Sequence, residues 1–439
     1  MRAPHRLESS DFVYRFVDTA FGWSVVLQVA WAFSRPPSRE ALSEMAARLA
    51  GGPLNRRLVT PQVPLARPYW TQSTVRPGVI VDEGATDSPN EWLTAELDTV
   101  PLNAEAGRCW QLRGVATDTG GFVLSLCALH LVTDGKTLVA AASSARDSAP
   151  LQQPQQFGRA SMLGSDLEDA ARQFVSAGLG ICRAAVAVAR GSGAAGNVDV
   201  VKKAPLHERA PLARPVWATV TVDRQDWEVV AKRHGGTANS LFVAVVSGLL
   251  RTSGYAPLGQ TVKVGIPVSQ RVDGDTRGNA TAGVSVYLTE EPVAGGDLAG
   301  IRSACKRAFA ALSAGRRPAF VHLQPLLQML PARLIATAAS AGSGMPDAVV
   351  SNLGSFPAEL AEIGDEIATS VFFRGIAQHV DPSMPFRFGD GVQSWLLEVG
   401  DNVSFSVVAF DETHFGDDAV LRNLLAGELA GWGVPHRIS

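Results

Sequence analysis

His130 and Asp134 stand four residues apart at the end of an apolar run, with Gly135 directly after them, in the segment His-Leu-Val-Thr-Asp-Gly. An imidazole titrates near neutrality. It can therefore take a proton from an alcohol or amine attacking a thioester and return it to the departing thiolate, a role worth about 10²- to 10⁴-fold in rate. On residue types alone a plainer reading stands beside this one. The histidine could simply close a strand, and the aspartate could cap whatever follows.

The elements around this pair say how it would be held. Phe122–Leu129 (FVLSLCAL) reads as a strand ending at His130, preceded by a strand over Arg108–Val115 and turn residues at Asp118–Gly121. Lys136–Ala145 is rich in helix formers, so the histidine sits at a strand-to-loop-to-helix junction, where rigid elements hold functional groups. Upstream, Ser24–Phe33 reads as a strand and Arg39–Leu49 as a helix capped by Ser38. Asp147–Ser161 turns polar and carries Pro150 and Pro154, Asp166–Arg190 has a helical pattern, and Gly191–Pro215 loses periodicity. The chain therefore divides into an N-terminal lobe over 1–160, an inter-lobe helix and linker over 161–215, and a C-terminal lobe over 216–439. In that last part we expect strands at Val216–Val222, Val262–Ile266, Ala282–Leu288 and Val403–Phe410. Helices are expected from near Asp223, over Asn239–Arg251 with Asn239 as cap, and over about Asp417–Gly431.

Length and composition agree with a globular α/β protein of two or three units: 439 residues, 46% hydrophobic and 18% charged. With 39 basic against 42 acidic residues the formal charge is −3, too little cationic field for a nucleic-acid partner. Cys109, Cys127, Cys182 and Cys305 form no C-x-x-C pair, which argues against a zinc cage or disulfide framework and fits a reduced, cytoplasmic setting. We expect no metal. The first residues lack the apolar core of a secretory signal. Thr19–Ser34, the longest uncharged apolar stretch, is shorter than the ~20 residues of a spanning helix. We read it as buried structure, with peripheral lipid contact left open.

Other signals are weaker. Gly135-Lys136-Thr137 ends like a phosphate-binding loop, but position 130 carries His where the first Gly would stand. No G-x-S-x-G elbow occurs. Asp411, His414 and Asp417 read as a polar turn before the terminal helix rather than as metal ligands. Lys202, Lys203, Arg209 and Arg214 could meet the phosphates of coenzyme A or an acidic carrier protein, against the plainer reading of a solvated linker.

Four segments in series resemble the H-x-x-x-D-G acyltransferase superfamily, which includes chloramphenicol acetyltransferase, condensation domains of nonribosomal peptide synthetases, wax ester synthase/diacylglycerol acyltransferases and mycobacterial polyketide-associated acyltransferases. They are Leu126–Leu138, Thr237–Leu250, Val264–Arg271 with Gly278-Asn279, and Val350–Pro357, spanning most of the chain. The resemblance implies two chloramphenicol acetyltransferase-like lobes, each a mixed sheet with helices, around a central tunnel. It implies His130 as general base, and Asp134 as a structural residue turned towards Arg271, with Gly135 admitting a tight turn and close substrate approach. Ser351 and Asn352 are implied to lie near the tunnel, where a hydroxyl or amide could meet an oxyanion; a turn role stands beside that. Condensation domains and wax ester synthases usually carry two adjacent histidines, whereas Leu129 stands before His130 here, which leans towards the polyketide-associated or chloramphenicol acetyltransferase-like branches. A plant-type D-F-G-W-G segment is missing, with only Phe388-Gly389-Asp390-Gly391 loosely comparable.

The implied reaction moves an acyl group from acyl-CoA or an acyl carrier protein thioester, as co-substrate, to the hydroxyl of a lipid, sugar or polyketide-type small molecule, with no bound cofactor. Amide or ester formation between carrier-bound substrates is the alternative, and a non-catalytic binding module on the same fold is the alternative of another class.

Overall fold

The computed structural model describes residues 5–145, 159–189, 211–290, 292–315, 326, 328–329, 346–381 and 391–439. The linker stretches 147–158 and 191–210 expected from sequence, with Lys202, Lys203 and Arg209, lie outside the described residues, as do Phe388, Gly389 and Asp390.

Two nearly unbroken apolar runs, Ser24–Phe33 and Phe122–Leu129, pair antiparallel in the middle of a six-stranded sheet. Across that sheet the order is Glu362–Ile363, Glu366–Gln378, Ser24–Phe33, Phe122–Leu129, Trp110–Thr117 and Val79–Thr86, with only the last pair parallel. Runs this apolar must be covered on both faces. Val29 and Trp31 share a core with Leu42 and Met45 of the helix Arg39–Gly51 and Leu138 of the helix Gly135–Ser144. On the other face Ala30 meets Leu93 of the helix Pro89–Thr99. Gln28, the polar break inside the first run, is fully buried and donates to the Leu93 carbonyl (3.0 Å) and to the hydroxyl of Ser125, the break in the second (2.9 Å).

The second sheet has seven strands in the order Thr281–Leu288, Val262–Ser269, Ala348–Phe356, Val392–Val399, Asn402–Asp411, Pro211–Asp223 and Arg437–Ile438. Against it packs the helix Ala238–Thr252, buried at every position from Ser240 to Leu250, which explains why its sequence is apolar all round. A small three-stranded sheet of His5–Arg6, Tyr69–Gln72 and Arg56–Val59 completes the strands.

Several boundaries differ from expectation for local reasons. Thr237, not Asn239, caps the Ala238–Thr252 helix: its hydroxyl accepts from the Ser240 amide (3.2 Å), while the Ser240 hydroxyl accepts from the Thr237 amide (2.7 Å). Asn239 falls inside the first turn. The strand expected over Arg108–Val115 is Trp110–Thr117, because Arg108 is held in a separate bridge to Asn103. Thr19–Ser34 is two elements, the end of the helix Phe12–Phe21 and the strand Ser24–Phe33, turned at Gly22 in the left-handed region (φ 73°). The helix expected from Asp166 begins at Arg159, and the strand expected from Val216 begins at Pro211. No helix among the described residues is long and apolar enough to cross a membrane.

One strand ties the lobes together. Glu366–Gln378, from the stretch assigned by sequence to the C-terminal lobe, pairs along the whole of Ser24–Phe33 in the first sheet. Its Arg374 is 1% exposed and donates to Asn90 (3.2 Å) and Thr94 (3.3 Å) on one side and to Thr219 of the second sheet (3.0 Å) on the other. The guanidinium also lies 4.9 Å from the Phe372 ring and 5.2 Å from that of Trp217. Burial of this cation lowers its pKa to about 10.

Candidate active site

His130 follows the strand Phe122–Leu129 directly and is pinned by its backbone. Its amide donates to the Val25 carbonyl (2.8 Å), and its carbonyl accepts from the Asn279 side chain (2.9 Å). The same Asn279 amide reaches the Leu131 carbonyl (3.2 Å) and the Asp11 carboxylate (2.9 Å), so one residue of the C-terminal part grips two successive carbonyls of the loop that carries the imidazole.

The imidazole lines a cavity of about 250 Å³ between the two sheets. Val25, Leu27 and Phe373 contribute from the first sheet, and Pro267, Ser351 and Trp395 from the second. Burial lowers the His130 pKa below the usual histidine range; the backbone of His130 and Thr133, the Asp134 charge and the Asn279 side chain oppose that without cancelling it. Burial thus favours the neutral ring. Nδ1 is buried and makes no hydrogen bond among the described residues.

Asp134 does something different. Oδ1 caps the helix Gly135–Ser144 by accepting from the Thr137 amide (2.9 Å). Oδ2 accepts from Arg271 Nη2 (2.8 Å), the Ala280 amide (3.0 Å) and the Thr281 hydroxyl (3.3 Å). Burial alone would raise this carboxyl's pKa. The bonds from Ala280, Thr137 and Arg271, with the Arg271 charge, outweigh it and hold the group below the ordinary aspartate value. Arg271 also donates to the carbonyls of Arg277 (2.7 Å) and Gly278 (2.8 Å), so its fork clamps the segment carrying Asn279.

Two glycines are required by close approach. A β-carbon at Gly278 would lie 2.2 Å from the Val132 carbonyl oxygen, and one at Gly135 would lie 2.7 Å from Leu353 Cδ2. Gly135 sits in the first turn of the helix and is not in the left-handed region, so packing against Leu353 and Phe373, rather than turn geometry, excludes a side chain there. Gly278→Ala must push one backbone segment away from another. We expect it to cost about 1–3 kcal/mol by denaturant unfolding, as overpacking does, and to impair activity through the displaced loop.

Ser351 and Asn352 both line the cavity from the strand Ala348–Phe356. Asn352 is partly committed: its Oδ1 accepts from the Gly354 amide (2.9 Å) across a register shift, and its Nδ2 lies 3.5 Å from Asn239 Oδ1. Arg214 lies within the strand Pro211–Asp223 of the second sheet, and Asp411 accepts from the His414 amide and ring (3.1 and 2.8 Å) ahead of the terminal helix. Among the described residues no group of three or more His, Cys, Asp or Glu could hold a metal.

Sequence reasoning missed Tyr14. Its ring stacks on the His130 imidazole with centroids 3.8 Å apart and planes at 18°. It missed Lys136, Gln393 and Trp395 as cavity residues too. No local signal marks these four, which three elements bring to the cavity: the helices Phe12–Phe21 and Gly135–Ser144 and the strand Val392–Val399.

No known family profile matches the chain, and no curated relative does. Solved structures do match over their full length. The first condensation domain of the calcium-dependent antibiotic synthetase, bound to a substrate analogue, aligns with a TM-score of 0.62 at 16% identity over 98% of this chain and 96% of that one. The wax ester synthase/diacylglycerol acyltransferase from Marinobacter aquaeolei VT8 aligns with 0.58 at 15% identity over 97% and 98%. The starter condensation domain of rhizomide synthetase, as a mutant in complex with C8-CoA, aligns with 0.56 at 12% identity over 98% and 95%. The chain thus has the two-lobed α/β fold shared by the condensation domains and the wax ester synthase, the chloramphenicol acetyltransferase-like architecture that its four motifs imply.

Proposed function

We propose that the chain is an acyltransferase that moves an acyl group from a thioester, on coenzyme A or an acyl carrier protein, to a hydroxyl of a lipid, sugar or polyketide-type small molecule. The observation that carries this reading is an imidazole, its pKa lowered by burial, lining a cavity between two lobes. With Nδ1 buried, Nε2 is the nitrogen left to meet substrate. It takes the hydroxyl proton as the oxygen attacks the thioester carbonyl carbon. When the tetrahedral intermediate collapses and the carbon–sulfur bond breaks, the imidazolium returns that proton to the thiolate. The oxyanion in between would be met by the Ser351 hydroxyl or the Asn352 amide. Asp134, Gly135 and Arg271 serve as the frame of the loop. A similar fold crystallised with C8-CoA supports a coenzyme A donor.

Amide or ester formation between carrier-bound substrates is the second reading, supported by likeness in fold to condensation domains. A thiol-release assay with acyl-CoA donors of several lengths and a panel of alcohols and amines tests the first. Product only when the acceptor is carrier-bound as well would move the assignment to the second. Absence of transfer from any donor, with ligands still bound, would point to a binding module.

The pH dependence follows from the site. A base whose pKa lies below the usual histidine value of ~6.5 is still unprotonated slightly below neutrality. The acidic limb of kcat/KM should therefore fall at a lower pH than an ordinary histidine gives, and a limb at or above ~6.5 would contradict the neutral, desolvated ring.

A further inference from the structure

Beside the cavity at His130 lies a second one, also about 250 Å³, lined by Arg15, Asp18, Ser24, Asn103 and Glu105 around an apolar floor. The end of the strand Phe122–Leu129 divides them: His130 faces the first, and its chain neighbours Leu129 and Leu131 face the second. Tyr14 and Val25 line both. Val25 is held in the sheet by pairing to Ala377. Tyr14 is on the helix Phe12–Phe21, and its ring lies flat on the imidazole.

The geometry points to Tyr14 as the partition between the two cavities, and so as the residue that sets acceptor size: while stacked on His130, it confines the nucleophile to the first cavity and keeps the polar second cavity from serving as an extension for a larger, hydroxylated or amino acceptor. This rests on the acyl-transfer reading for its consequence, though not for its geometry. The polar rim of the second cavity suits such acceptors. Arg15 is bridged there to Asp18 (3.0 Å) and Glu105 (2.9 Å), leaving one net negative charge among the three and several hydrogen-bonding groups facing inward. A flat ring blocks passage by its area, so Phe should keep the partition closed and Ala should open it.

Two measurements separate this inference from the reading beneath it. In the first, carbethoxylation of His130 in the native protein by diethyl pyrocarbonate is followed by mass spectrometry of the peptide that carries it, which separates it from the other seven histidines and requires no knowledge of substrate. Y14A should raise the rate several-fold, Y14F should leave it unchanged, and E105W at the exposed rim of the second cavity should reverse the gain in the Y14A background. Equal rates in all three would overturn the partition. In the second, the ratio of kcat/KM for bulky polar acceptors over small ones should rise about ten-fold or more in Y14A, the scale on which pocket shape discriminates, and return with E105W. A uniform loss across all acceptors, restored by Phe, would make Tyr14 a positioning residue for the imidazole instead and overturn the size role. Y14L, a smaller change in volume, answers the same question should Y14A fold poorly. Labelling that follows the expected pattern with no thiol release from any variant would retain the partition and reject acyl transfer.

Discussion

His130→Ala should lower kcat for thiol release by about 10²- to 10⁴-fold while changing donor KM little, because proton transfer in the transition state is lost and ground-state binding is not. The reason for expecting the full effect is the scarcity of substitutes. Among the described cavity residues the other titratable groups are Tyr14, Asp134 and Lys136. Burial, with the charges of Asp134 and Asp11 adding to it, pushes the Tyr14 phenol above its ordinary value, so it stays protonated at neutral pH. Asp134 spends both oxygens on the loop. His130→Gln keeps much of the side-chain volume and should be as slow, which separates lost chemistry from a lost packing group. Turnover unchanged in both variants would remove the imidazole from the mechanism.

Asp134→Ala should be the most destabilising change at the site, by about 3–5 kcal/mol in urea unfolding, since it leaves the Arg271 cation without its partner in a largely buried setting. Loss of the helix cap at Thr137 belongs to the same substitution and adds about 1 kcal/mol. Asp134→Asn should do little better: an amide nitrogen in place of Oδ2 would face three donors, Arg271, Ala280 and Thr281. Arg271→Lys should fail as well, because a point charge cannot span Asp134, Arg277 and Gly278 as the guanidinium fork does. A double-mutant cycle with Arg271→Ala should show strong coupling, and additivity would refute a shared role.

The pH dependence of that difference has a definite sign. Asp134 has a folded-state pKa below its unfolded value, so its contribution is fully present above the unfolded value of ~3.9 and disappears as pH falls through the lower, folded one. The stability gap between wild type and Asp134→Ala should therefore narrow only in that acidic range. His130 runs in the same direction for another reason. Its folded pKa is also depressed, the unfolded chain binds more protons below ~6.5, and stability falls there as the buried ring resists charging.

How much of this was legible beforehand depended on range along the chain. Phe122–Leu129 reads as a strand with its observed bounds, because an apolar run closed by turn residues before it and a helix former after it has few other solutions. Ser38 caps its helix as expected, accepting from the Ala41 amide at 3.1 Å. The strand Glu366–Gln378 was not foreseen, and neither was Val392–Val399. Their patterns are ordinary, and Glu366–Gln378 owes its position to pairing with Ser24–Phe33, more than three hundred residues earlier. Asn239 is a good cap by type. Thr237 and Ser240 outcompete it with two reciprocal bonds, a choice that depends on which backbone amides are left open.

What the sequence determined by itself was the local chemistry: an imidazole at the exit of an apolar strand, a capping carboxylate at the start of the next helix, and, through four ordered motifs, the two-lobed fold. Periodicity, caps and turns act over a few residues and can be read in order. The tertiary structure alone decided what surrounds the imidazole. It laid Tyr14 on the ring, brought Ser351 and Trp395 across from the second sheet, threaded Arg374 between the lobes, and buried the imidazole deeply enough to lower its pKa. Desolvation and stacking depend on groups from distant parts of the chain reaching the same few cubic ångströms, and only the folded chain arranges that meeting.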